Sequence, residues 1–79
     1  MIQQIQTIED VKEFFQCLLD EDLNFHPDND FNDYINGQTR LPTYNKAEVQ
    51  IRNDLLDQAF IICDQSNVDI YELCCEIFN

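Results

Sequence analysis

The residues with the most chemical capacity in this chain are one histidine, four cysteines and a run of carboxylates near residue 30. Asp28, Asp30 and Asn32 stand at the 1, 3 and 5 positions of a calcium loop. Such a loop needs Gly at its sixth position for the sharp turn and a bidentate Glu at its twelfth, where this chain has Asp33 and Thr39. The run reads instead as a solvated helix start, with carboxylates beside the positive end of the dipole. Zinc would draw on His26 with Cys17, Cys63, Cys74 and Cys75, but no pair has the C-x₂₋₄-C spacing that metal sites ordinarily show. A reactive thiolate needs positive charge nearby, and this chain is strongly negative. His26 has no sequence neighbour resembling a catalytic partner, and a single Gly leaves no phosphate-cradling loop. The expectation is therefore no enzyme, no metal and no cofactor.

Charge is the main anomaly. Sixteen Asp and Glu face four Lys and Arg, for a formal net charge of −12. Such a surface repels nucleic acid and anionic membrane and attracts basic partners. It also raises the question of DNA mimicry. A folded chain of this mass exposes about 5,000 Å², which spreads the net charge to one per roughly 400 Å². B-DNA, taken as a cylinder about 20 Å wide, carries one per roughly 110 Å². A mimic would have to gather its carboxylates on one face. On the first expected helix, Glu9, Glu13 and Asp20 do line up opposite the apolar side, but Lys12 lies among them and the set is short.

The 79 residues make one domain, 1–79, with an ordinary apolar fraction of 44% and no low-complexity tract or repeat. No basic leader with an apolar run behind it is visible, and no apolar run approaches membrane-span length. The expectation is a cytoplasmic chain with its cysteines reduced.

The elements form an all-α arrangement: three main helices with a short extra helix or turn in the middle segment. The longest, Asn45 to Gln65, opens on Asn45 with Glu48 three residues on, an Asn capping box, with Tyr44 and Val49 at the staple positions. Ile51, Leu55, Ala59, Ile62 and Cys63 fall on one side, widened by Val49, Leu56 and Phe60. A stripe this broad predicts two neighbours. Residues 1–6 read equally as an extended lead-in or an early turn. The first helix is capped by Thr7 and presents Val11, Phe14, Phe15, Leu18 and Leu19, leaving Cys17 outside that face and ending near Asp20–Asp22. In the middle, Pro27 at N1 followed by acidic residues, with Phe31, Tyr34 and Ile35 at helical spacing, predicts about two helical turns stopped at Asn36-Gly37. The rival is a hairpin pairing Asp33–Ile35 with Gln38–Arg40, and the lack of strict alternation favours the helix. Leu41-Pro42-Thr43 connects. The last helix opens on Asp69 with Glu72, stapled by Val68 and Leu73, and turns Ile70, Leu73, Cys74 and Ile77 one way. Ser66-Asn67 allows only a tight turn, which predicts a helical hairpin.

The runs Leu23-Asn24-Phe25-His26-Pro27-Asp28, Asp30-Phe31, Asp33-Tyr34-Ile35-Asn36 and Val68-Asp69-Ile70-Tyr71-Glu72 resemble a set of small, acidic, uncharacterised helical proteins of gut Bacteroidetes. The resemblance spans roughly residues 8–73. It implies a bacterial, cytoplasmic setting and carries over no catalytic residue.

An interaction module remains. Tyr34, Tyr44 and Tyr71, with Phe25 and Phe31, are amphipathic anchors of the kind enriched at interfaces, although in a small domain most such rings fill the core. Ile61 falls opposite the long helix's stripe, among Asp54, Asp57 and Gln65. Ile61, Tyr34 and Tyr71 are therefore the candidate partner-binding residues, for a basic protein partner or a second copy. The expected function is a small acidic protein-interaction module. The alternative is a DNA-mimicking antagonist of a nucleic-acid-binding protein.

Overall fold

A computed structural model of the chain describes residues 3–23, 25–28, 31–34 and 44–78. Among these residues it is all-α: α1 (Ile8–Asp20), a 3₁₀ turn (Phe31–Tyr34), α2 (Lys46–Gln65) and α3 (Ile70–Phe78).

Each helix starts where a side chain can satisfy the free N–H groups of its first turn. Thr7 accepts from Asp10 N–H at 3.2 Å, and the Asp10 carboxylate accepts in return from Thr7 N–H, closing a capping box. Asn45 and Glu48 do the same for α2, at 2.8 and 3.1 Å. Asp69 caps α3 by accepting from Tyr71 N–H at 2.9 Å. Thr7, Asn45 and Asp69 therefore cap as expected, and the Asp10 half of the first box is an addition. Glu72 makes no return bond to Asp69 N–H, so the expected Asp69–Glu72 pair is a one-sided cap. Ahead of α1 the lead-in has no regular structure but is tied down: Ile5 is buried, and its N–H donates to Gln58 Oε1 on α2 at 2.8 Å.

The helix ends are less conventional. After α1 the chain turns through Asp22 at φ 62°, with Leu23 N–H donating to Leu18 C=O at 3.1 Å and Asp22 N–H to Leu19 C=O at 3.0 Å. After α2 it repeats the device at Asn67, φ 56°, with Val68 N–H donating to Cys63 C=O at 2.9 Å and Asn67 N–H to Asp64 C=O. Both are Schellman stops with Asp or Asn where Gly is usual, and their short polar side chains make left-handed backbone tolerable.

The core draws on every element. Val11, Phe14, Phe15 and Leu18 of α1 are fully buried against α2 and α3. Leu19, expected on that face, is exposed, because it stands about 80° around the helix from Val11. The segment after α1 is a full part of the core. Leu23, Phe25, Phe31 and Tyr34 are all buried, and Phe25 and Phe31 stack at 5.3 Å. Rings continue in both directions, from Phe31 to Tyr34 to Tyr44 and from Phe25 to Phe78 of α3. The expected two helical turns from Pro27 are not seen among the described residues. Pro27 and Asp28 form a turn, and four residues of 3₁₀ helix follow. With three residues per turn a 3₁₀ helix sets Phe31 directly over Tyr34, so both reach the core and a further turn is not needed. Tyr44 N–H donates to Tyr34 C=O at 3.0 Å and closes the excursion. The hairpin alternative, the Asn36-Gly37 stop, Ile35 and the Leu41-Pro42-Thr43 connector lie outside the described residues.

The broad stripe of α2 is present but rotated. Its buried residues are Val49, Arg52, Leu55, Leu56, Ala59 and Cys63, with Phe60 and Ile62 partly covered. Ile51, expected in the stripe, is 50% exposed. Arg52, absent from the expected stripe, is buried. The helical hairpin exists through the Asn67 turn, but α3 packs more on α1 than on α2. The shared aromatic core at the Phe15–Phe78 edge contact draws it there.

Candidate functional site

Two tyrosine–carboxylate pairs organise the polar chemistry of the fold, one inside and one outside. The inner pair sits where α1 ends. Glu21, the C-cap of α1, has the wrong sign for that helix's dipole, yet its carboxylate is used twice. Oε1 accepts from the Tyr44 hydroxyl at 2.8 Å, and Oε2 accepts from Arg52 Nη2 at 2.7 Å. Arg52 Nη1 donates to Glu48 C=O at 3.0 Å, and the guanidinium lies 4.0 Å over the Tyr44 ring. Arg52 is only 5% exposed, and its Nε finds no partner among the described residues. Burial pushes the Tyr44 hydroxyl far above the ordinary tyrosine range, reinforced by its bond to Glu21 and that residue's charge. Burial alone would lower Arg52, but the Glu21 bond and charge, with Tyr44, hold it above its usual value. Arg52 therefore keeps its charge and Tyr44 its proton, and the Arg52–Glu21 ion pair joins α1 to α2.

The outer pair lies where the loop after α1 meets the start of α3. The Tyr71 hydroxyl donates to Asp28 Oδ1 at 2.8 Å, across 43 residues of sequence. His26 Nδ1 accepts from Asp28 N–H at 3.1 Å, and the His26 ring lies 5.6 Å from Tyr71. Phe60 of α2 meets Tyr71 edge-on at 6.4 Å. The Tyr71 phenol is raised by its bond to Asp28 first, then by burial and by the charges of Asp28 and Asp69.

Of the residues expected to bind a partner, Ile61 and Tyr71 are on the surface. Tyr34 is not. It is a core ring between Phe31 and Tyr44, because the 3₁₀ turn directs it inward, and it leaves the candidate set as a correction. Ile61 is 56% exposed on the outer face of α2. Stepping along that helix, Ile51, Asp54, Asp57 and Ile61 fall within about 120° of one another, with the two isoleucines about 15 Å apart along the axis. All four are exposed. Sequence reasoning missed Ile51 because it credited the apolar type and discounted the arginine beside it.

All four cysteines carry free thiols. Cys63 and Cys74 are buried, and burial raises both thiols, Cys74 to about 11 with help from Cys75. Cys74 Sγ lies 3.7 Å from Phe25 C=O. Cys75 is exposed and Cys17 half-covered. Among the described residues no group of three or more His, Cys, Asp or Glu is placed to hold a metal. Asp30, Thr39 and the Asp33 side chain of the calcium-like spacing lie outside them. Also among the described residues, no helix is long and apolar enough to cross a membrane.

Comparison with known proteins finds no matching family model, no similar curated protein and no similar solved structure.

Proposed function

We propose that the chain is a small acidic protein-interaction module that meets a basic partner through the outer face of α2, in the bacterial cytoplasm. The observation that carries this reading is the pair Ile51 and Ile61, at 50% and 56% exposure, set on one face with Asp54 and Asp57. Apolar burial would supply affinity there, and the carboxylates would select a cationic partner and speed encounter. A second copy of this chain is the poorer match, because two surfaces of net charge −12 repel. Dilution of the charge speaks against DNA mimicry. The chain exposes 4959 Å², so its net charge stays near one per roughly 400 Å², against one per roughly 110 Å² on a duplex.

The test is affinity capture from a bacterial lysate at low and high salt, with wild type and Ile61→Asp side by side. Wild type is expected to retain a basic protein at high salt, since apolar burial is not screened. Ile61→Asp should melt as wild type does and lose that partner. Recovery only of DNA-binding proteins, released by salt and displaced by duplex DNA, would establish the mimic instead. Unfolding of Ile61→Asp would remove the assignment of this face.

A further inference from the structure

We propose that the Tyr71–Asp28 pair is a docking site for an arginine side chain of a protein partner. The inference deepens the interaction reading and rests on it only in taking the ligand to be a protein segment. Its ground is the inner cluster. There a tyrosine hydroxyl holds one oxygen of a carboxylate at 2.8 Å, and an arginine takes the other oxygen at 2.7 Å while stacking 4.0 Å over the same tyrosine ring. On the surface the first half of this arrangement recurs. The Tyr71 hydroxyl holds Asp28 Oδ1, again at 2.8 Å. No Lys or Arg nitrogen among the described residues pairs with Asp28.

The rest of the site suits a guanidinium. Tyr71 is 41% exposed, so ring surface is open, and the Asp28 side chain is 70% exposed. His26 Nδ1 accepts from Asp28 N–H at 3.1 Å and lies 3.6 Å from Asp28 Oδ2, beyond hydrogen-bond length. The charge of Asp69 also reaches Tyr71. A planar guanidinium can stack on the ring and bond the carboxylate at once, which an ammonium cannot. The hydroxyl bond and the flanking His26 and Phe60 rings fix Tyr71 before the partner arrives, which lowers the ordering cost of binding. The Lys and Arg side chains among the described residues are engaged or distant. Lys12 pairs with Glu9 at 3.6 Å, Arg52 is buried, and Lys46 stands about 20 Å along α2 from Phe60. Arg40 lies outside the described residues.

The test uses the whole chain, isotope-labelled, titrated at low salt with a glycine-flanked diarginine peptide and its lysine and citrulline counterparts. Saturable shifts are expected at the Tyr71 ring, the Asp28 amide and His26, with arginine binding several-fold tighter than lysine and citrulline not at all. Asp28→Asn, an isosteric change at an exposed loop, should weaken the arginine peptide about three- to tenfold, and Tyr71→Leu by as much or more. Glu13→Gln on α1 should change little. Equal losses from Glu13→Gln and Asp28→Asn, or equal binding of arginine and lysine, would reduce the effect to net charge and overturn the site. So would tighter binding in Arg40→Ala, which would make Arg40 the native occupant. Failure of the peptide with lysate capture intact sinks this site alone. Peptide binding without a partner at the α2 face sinks the other.

Discussion

Arg52→Ala measures how the fold is closed at the junction of α1 and α2. The substitution removes the 2.7 Å bond to Glu21, the 3.0 Å bond to Glu48 C=O and the stacking on Tyr44. A hydrogen bond to a charged group contributes about 1.5–3 kcal/mol, and a desolvated cation–π contact up to about 2 kcal/mol. The packing of the aliphatic stem is lost as well. Against this, the Glu21 side chain is 33% exposed, so its carboxylate rehydrates once unpaired, and part of the ion pair's strength was already screened. The expected net loss is about 2–4 kcal/mol, from a total of roughly 4–12 kcal/mol for a domain of this length. The melting temperature should fall by about 10–25 °C. Urea denaturation followed by far-UV circular dichroism, on wild type, Arg52→Ala, Glu21→Gln and the double variant, reads both the loss and the coupling. The double variant should lose at least about 1 kcal/mol less than the sum of the singles, because each single strands the other's partner. A single loss below about 0.5 kcal/mol, or strict additivity, would refute the claim that this cluster ties α1 to α2.

Other outcomes follow from the same geometry. Asp69→Ala should cost about 0.5–2 kcal/mol by freeing Tyr71 N–H, and an unchanged urea midpoint would mean that α3 does not depend on this cap. Asp22→Gly should stabilise by about 0.5–1 kcal/mol, since it relieves a left-handed non-glycine and removes a carboxylate from the negative end of α1; a loss would show an unrecognised role for that side chain. Thiol labelling at neutral pH should reach Cys75 first and spare Cys63 and Cys74 until the chain unfolds. The folded Cys74 thiol keeps its proton to about pH 11 where the unfolded one loses it near 9.0, so stability should fall as pH rises across that window. Cys74→Ala should make that fall shallower, and an identical pH profile would show that the thiol is not what titrates.

The helix starts were legible from the chain alone. Thr7, Asn45 and Asp69 act on N–H groups two or three residues away, and a bond that short needs no tertiary context. Most of the apolar face of α1, and the exposure of Ile61, followed from helical periodicity for the same local reason. What could not be read locally was decided across the fold. Arg52 looks like a surface residue until Glu21, 31 positions earlier, and Tyr44 are brought to it, and its burial turns α2 enough to leave Ile51 in water. Phe31 and Tyr34 carry the spacing of an α-helix, yet the stack on Phe25 and Tyr44 is met by a single 3₁₀ turn. Tyr71 and Asp28, 43 residues apart, acquire their shared geometry only when α3 docks beside the loop that follows α1. Caps and stripes depend on neighbours within one helical turn, and the pairing of distant polar groups depends on which buried surfaces exclude water together.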